Sequence, residues 1–312
     1  MSAFRLIVVI LIAINTLMLN GKTYKVYFLA GQSNMEGYGY TKQLPKELLR
    51  PGKIVPIYHG NSALDNQQGG GVGQWTPLQA GHGVGFKTDG VTNYYSNRFG
   101  PELSFAQTLL THTAENIAII KYATGGTGLS EGVGYSNWEP MLATASASNQ
   151  YNFARQTIKG AFIKSDIDGD YELDTLIPAG IVWMQGEADA HHSLEAATAY
   201  QTKLTNLMRL MRLSLGNEQL PIIIGKINRR PDQGSEPEMP YIDVIHSAQA
   251  QFSDNDVCTE YVTETEKYQL SEDRWHYDSD SYIEMGRAFA QAMLKLQDCQ
   301  ATSHRSAKTL GQ

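Results

Sequence analysis

The chain has 312 residues, 42% of them hydrophobic and 18% charged. That is apolar enough for a sizeable core and too weakly charged for a disordered chain. A formal net charge of -7 argues against nucleic acid as a main partner and leaves an uncharged or neutral substrate as the simplest expectation.

At the N-terminus, Arg5 precedes an apolar run, Leu6 to Leu19, broken only by Asn15 and Thr16. The run is short for a membrane span and fits a signal-peptide core. Residues 1–20 are therefore read as a signal peptide, 21–298 as one domain and 299–312 as a polar C-terminal tail. No Ala-x-Ala stands before Gly21-Lys22, so retention as an anchor is the alternative. After cleavage no stable membrane span is expected, and the protein is expected to be secreted or periplasmic. The two cysteines, Cys258 and Cys299, either pair across a loop of roughly 40 residues or stay as buried thiols. Export, with its oxidising compartment, favours pairing.

The first strand is marked by Val26 to Leu29, a run of aromatic, aliphatic and β-branched residues that stops at Gly31-Gln-Ser-Asn34. Residues 38–100 show no clear periodicity and read as a long insertion walling a cleft. Its Tyr58, Trp75, Tyr94 and Tyr95 either offer faces to sugar rings or pack the insertion on itself. Glu102 to His112 reads as a helix, Ile117 to Tyr122 as a strand, 153–164 as a helix and Ile181 to Met184 as a third strand. Residues 193–214 carry Tyr200, Leu204, Leu207, Met208 and Met211 on one helical stripe. Pro221 to Gly225 gives a fourth strand, Tyr241 to Phe252 a helix, Val257 to Val262 a short fifth strand and Tyr282 to Leu296 the last helix. Alternation of apolar strands with helices predicts a mostly parallel sheet covered on both faces.

Asp166-Ile-Asp-Gly-Asp170-Tyr-Glu-Leu-Asp174 spaces its acids like a calcium loop. Position 6 is Tyr171 rather than glycine and position 12 is Ile177 rather than glutamate. A complete EF-hand is not expected; an incomplete calcium site and a solvated acidic turn both remain readings.

Five segments in order carry a resemblance: Gly31-Gln-Ser-Asn-Met35, Gly100-Pro-Glu102 with Phe105-Ala106, Gly125-Gly-Thr127, Trp183-Met-Gln-Gly-Glu187 and Asp273-x-x-His276. Together they resemble the SGNH hydrolases, in the branch holding sialate O-acetylesterases and the acetylxylan esterases of carbohydrate esterase family 6. The resemblance implies a three-layer α/β/α sandwich of SGNH/flavodoxin-like type, here with a five-stranded sheet. It makes 21–298 an SGNH-type esterase domain acting on an acetylated carbohydrate.

Ester hydrolysis by acyl transfer needs a nucleophile, a base, a group to orient the base and donors for the oxyanion. Ser33, at the tip of a strand-ending turn, is read as nucleophile. His276 is read as general base and Asp273 as the carboxylate that orients it, with Asp278 and Asp280 as rivals for the carboxylate or for a helix cap. The Ser33 N–H, a Gly126 N–H and the Gln185 side-chain amide are expected to hold the oxyanion. Glu102 and Glu187 are read as supporting residues. No metal and no cofactor is expected. The expected function is removal of O-acetyl groups from a carbohydrate through an acyl-enzyme. The alternatives are a catalytically inactive carbohydrate-binding protein on the same fold and a lipid or aryl ester hydrolase.

Overall fold

The computed structural model describes residues 21–49, 53–141, 149–230, 237–296 and 299. The signal-peptide reading and most of the polar tail lie outside these residues. The central sheet has seven strands: β1 (Thr23–Gly31), β2 (Pro56–His59), β3 (Trp75–Pro77), β4 (Asn116–Ala123), β5 (Thr175–Met184), β6 (Ile222–Gly225) and β7 (Thr259–Val262). Their order is β7-β6-β5-β1-β4-β2-β3. Every pairing is parallel except the edge pair β2–β3.

Seven strands replace the expected five. The two that the sequence reading missed, β2 and β3, come from the insertion at 38–100. The four residues of β2 are all buried, and β3 is only three residues long. Neither is long or one-sided enough to show an alternating pattern.

The strands flanking the centre are largely apolar, with Lys121 of β4 as the buried exception, because helices cover both faces. Helices α2 (Glu102–His112) and α7 (Ser279–Lys295) pack together on one side. Helices α3 (Gln150–Ile163), α5 (Leu194–Ser214) and α6 (Ile242–Asp254) form the other layer, with the short α4 (Glu187–His192) joining α5 and α6. Tyr200, Leu204, Leu207, Met208 and Met211 of α5 are all buried, as their spacing predicts. Caps fix several helix starts: Asn149 accepts from Asn152 N, Ser193 from Ala196 N and Asp278 from Ser281 N. Pro178 lies inside central strand β5. Pairing with β1 slips by one residue there, between Val26 and Tyr27, and the bulge absorbs a residue that has no N–H to donate.

A disulfide joins Cys258, just before β7, to Cys299 after α7, with Cα atoms 5.7 Å apart. The end of the last helix is thereby tied to the sheet edge. No helix among the described residues is long and apolar enough to cross a membrane.

Candidate active site

At the carboxyl end of β1 the chain turns sharply beside the end of β5. Gly31 has φ 150°, and a Cβ there would lie 2.0 Å from the Met184 carbonyl oxygen. Only glycine fits that approach. Gln32 N then donates to Met184 O at 3.0 Å, while Gln32 O accepts from Met35 N and Glu36 N at 2.8 Å each. These bonds close the single turn α1 (Ser33–Glu36) with Ser33 at its head, on a cleft of about 760 Å³.

Lys121, on β4 and fully buried, supports the turn. Its Nζ donates to the Glu36 carbonyl at 2.9 Å, the His82 carbonyl at 2.9 Å and Glu102 Oε2 at 2.7 Å. Glu102 in turn accepts from Gly100 N at 3.0 Å. Glu102 is thus a structural partner, and a buried charge pair with further hydrogen bonds stands directly behind the serine turn. Lys121 is a charged residue in the apolar run 117–122, and that was the signal available in the sequence.

The loop at 273–276 reaches the same cleft from the other end of the chain. Asp273 Oδ2 lies 2.8 Å from His276 Nδ1, and its Oδ1 accepts from Trp275 N at 2.8 Å and His276 N at 2.9 Å. The tight turn requires Arg274 at φ 60°, left-handed for a non-glycine residue. The His276 ring stacks flat on Tyr38, with centroids 3.4 Å apart and planes 2° from parallel. Burial pushes the Asp273 carboxyl up, but the bonds from the His276 ring and the two backbone N–H groups outweigh this and hold it at about 2. Burial lowers His276 and Asp273 raises it; the net shift is downward. Asp278, the rival carboxylate, caps α7 instead.

Asn34 connects the two parts. Its Nδ2 donates to the Trp275 carbonyl at 3.2 Å and to Glu187 Oε1 at 2.7 Å. Its Oδ1 accepts from Tyr277 N at 3.3 Å and from Tyr282 Oη at 2.8 Å. One buried amide next to Ser33 therefore holds both chain neighbours of His276.

Two of the three expected oxyanion donors lie at the cleft. Gly126, at φ 66°, lines it, and neither Ser33 N nor Gly126 N has a hydrogen-bond partner among the described residues. The adjacent Gly125 N is engaged with Glu36 Oε2 at 2.9 Å. The third expected donor does not reach the cleft. Gln185 is fully buried, and its Nε2 donates inward to the Thr127 carbonyl at 3.0 Å and Asp189 Oδ2 at 2.7 Å. Its Oε1 accepts from Tyr200 Oη at 2.9 Å. The amide is turned under the rim because Asp189, buried on the same side and pushed up to about 7 by that burial, needs donors.

The rest of the cleft mixes polar side chains with apolar surface. Glu36, Ser62, Thr124, Glu187, His191 and His192 line it, with Tyr38, Tyr135 and Trp275 as its aromatic faces. Tyr135 is 81% exposed. Burial pushes Glu36 up to about 7 and raises Glu187 as well. The four aromatic residues singled out in the insertion lie elsewhere: Tyr58 packs edge-on against Trp75 and Tyr95 against His82. Of the acidic segment, Asp166, Asp168 and Asp174 bring carboxylate oxygens within 4.8 Å of one another. Lys22 already occupies its flank, in ion pairs with Asp168 and, at 2.6 Å, with Asp170.

Comparison with known proteins identifies the class: a carboxylic ester hydrolase. The chain belongs to the family of carbohydrate esterases described as sialic acid-specific acetylesterases, whose profile matches residues 23–295. A solved protein from Arabidopsis thaliana is similar with a TM-score of 0.61 and 22% identity, over 88% of this chain and 98% of that one. A carbohydrate acetylesterase from Xanthomonas citri has a TM-score of 0.59 and 15% identity, over 88% of this chain and 56% of that one. The protein NanS gives 0.55 and 17%, over 89% and 98%. At these identities the likeness speaks for the fold. Compared with the curated proteins, the chain has no significant match.

Proposed function

We propose that this protein removes O-acetyl groups from a carbohydrate through a Ser-His-Asp triad and an acyl-enzyme. The observation that carries this is the 2.8 Å contact between Asp273 Oδ2 and His276 Nδ1, on a ring that lines the same cleft as Ser33. A hydrogen bond at Nδ1 keeps the proton there and leaves Nε2 as the basic nitrogen. Ser33 Oγ attacks the acetyl carbonyl as His276 Nε2 takes its proton. Asp273, held ionised, stabilises the imidazolium that forms. The N–H groups of Ser33 and Gly126 receive the developing oxyanion. His276 returns the proton to the departing sugar oxygen, and then activates the water that frees acetate.

The family's description supports a carbohydrate substrate. So does the cleft. Its apolar surface comes from aromatic rings, glycines and Ala188, with no long aliphatic side chain in the lining, which suits a short acyl group better than a lipid tail. The exposed ring of Tyr135 offers a face on which a sugar can stack. The disulfide supports a secreted or periplasmic location, since such bonds persist in oxidising compartments.

Ser33→Ala tests the reading. Turnover of p-nitrophenyl acetate should fall by about 10³-fold or more, with the fold kept, as removal of a triad member does. Retention of most activity would refute it. Acetate release across acetylated xylan, sialic acids and pectin then identifies the glycan.

A further inference from the structure

The Gly126 N–H can serve Ser33 only if two separate segments keep one spacing. Ser33 stands on α1 after β1, whereas Gly126 stands in the turn that follows β4. Within that turn, the Gly126 carbonyl accepts from Tyr135 N at 2.8 Å, and the Thr127 hydroxyl donates to the Thr124 carbonyl at 2.9 Å. Neither contact reaches α1. Thr124 N reaches only the end of β1, 3.3 Å from the Gly31 carbonyl oxygen and ahead of the serine.

The contact beyond the serine is made by a side chain. Glu36, the last residue of α1, accepts from Gly125 N through Oε2 at 2.9 Å. The two segments touch at Gly125: a Cβ there would lie 3.3 Å from Glu36 Oε2 and 3.3 Å from the Ser33 Cβ. The Glu36 carboxyl lines the cleft, and burial pushes it up to about 7 against the opposing pull of Gly125 N–H and Lys121. Desolvating a carboxyl is unfavourable, so local stability alone does not account for one at this spot.

We propose that Glu36 is a positioning residue: by holding Gly125 N, it fixes the distance between the Gly126 N–H and Ser33. The proposal rests on the reading of Ser33 as nucleophile and Gly126 as an oxyanion donor. The chain of contacts is short. Glu36 shares the single turn α1 with Ser33, and the N–H it holds belongs to the residue bonded to Gly126. Gly126 has no side chain with which to anchor itself. Oxyanion donors act through preorganisation, so a loosened Gly126 N–H loses transition-state stabilisation while substrate binding changes little.

The geometry requires an acceptor at Oε2, not a charge or a proton. Glu36→Gln keeps an oxygen for Gly125 N, and Glu36→Leu removes it at similar size. Gly125→Ala attacks the same contact from the other side, because its Cβ wedges between Glu36 and Ser33. For p-nitrophenyl acetate, kcat of Glu36→Leu should fall about 30- to 100-fold with KM within about threefold, the scale of a misplacement of about 1 Å. Methylboronic acid, which becomes a tetrahedral anion on a serine oxygen, should bind Glu36→Leu about tenfold more weakly or worse. Glu36→Gln should keep about a third or more of the parental kcat, and the parental boronate affinity, because the acceptor remains. Gly125→Ala should lower kcat and boronate affinity together, and should add little to Glu36→Leu, because both break one contact.

Glu36→Leu with near-parental turnover would overturn the proposal. So would an equal loss in Glu36→Gln, which would mark the ionisable group itself as the active feature. A loss of turnover with boronate affinity unchanged would overturn it too, as the sign of a merely structural role. Should Glu36→Leu fail to fold, parental boronate affinity in Gly125→Ala overturns the proposal alone. Labelling with a fluorophosphonate separates this proposal from the reading beneath it. If the parent takes no label and Ser33→Ala remains active, the nucleophile assignment falls. If the serine labels and Glu36→Leu turns over normally, only the role of Glu36 falls.

Discussion

Ser33 and His276 open on one cleft but are held there by different means. The serine turn grows out of a buried central strand. Its backbone bonds to the end of β5, its last carbonyl is held by Lys121, and its Glu36 side chain accepts from Gly125. The histidine sits in a loop more than 240 residues away, with a half-exposed Asp273 and a left-handed Arg274. Among the described residues Asn34 links it by hydrogen bonds to the serine turn, and the ring stacks on Tyr38 just beyond that turn. Ser33 is thus secured many times over by the sheet, whereas His276 depends on a few polar contacts and one stacked ring. Stability and catalysis should therefore respond to different residues on the two sides.

Asp273→Asn attacks the weaker side at its most sensitive point, and the largest effect is expected there. Loss of the carboxylate frees the wrong tautomer and removes the partner of the imidazolium, a change worth about 10⁴-fold in kcat elsewhere. The pH dependence follows from the opposed influences on His276. In its proposed role as base His276 works only when neutral, so kcat/KM is lost as pH falls through its pKa. Burial lowers that pKa and Asp273 raises it, with a net value below the ordinary one. Without Asp273 only the lowering influences remain, so the acid limb should shift to still lower pH while the plateau drops. An unshifted or raised limb, or a loss under tenfold, would contradict the role of Asp273.

The same asymmetry explains what the sequence could show. The serine turn was legible because its causes are local: an apolar run, a glycine with no room for a Cβ, then Ser33. Helix α2 was legible to its ends, and α5 nearly so, because apolar stripes set them. The pairing of Asp273 with His276 was legible through the resemblance carried by Asp273-x-x-His276, while spacing alone left Asp278 and Asp280 as rivals. Gln185 was placed at the correct rim but with its amide facing the wrong way. That orientation is decided by Thr127, 58 residues distant, and by the needs of Asp189. Strands β2 and β3 escaped for a similar reason. Their partners, β4 and each other, are set by long-range packing, not by local pattern. Asn34 stood inside the Gly31–Met35 segment, which marked the turn but not the contacts its amide makes with residues 275 and 277, and Tyr135 carried no local signal.

Lys121→Met should expose the other half of the comparison. It leaves the Glu102 carboxylate buried with only Gly100 N as partner, and removes the donor to Glu36 O. Removing one member of a buried ion pair costs about 3–5 kcal/mol. Chemical denaturation should show that loss. The folded fraction should keep turnover within about fivefold, because the backbone bonds of Gln32 still form the turn. A large drop in kcat without a drop in stability would mean that Lys121 acts on the chemistry.

Asn34→Ala should lower turnover as well as stability, because the buried Glu187 carboxyl and Tyr282 hydroxyl also lose their partner. It releases the Trp275 carbonyl and Tyr277 N, so the loop that bears His276 can drift relative to Ser33. A misplacement of about 1 Å can cost about 10²-fold in rate, so kcat should fall 10- to 100-fold with KM held within threefold. The contact between His276 and Asp273 lies wholly inside its own loop and survives, so the acid limb should stay where it is. That combination, lower turnover at an unmoved limb, separates loss of position from loss of basicity. If the limb moves as it does in Asp273→Asn, then Asn34 tunes the imidazole rather than placing it, and the two supports are less distinct than their geometry indicates.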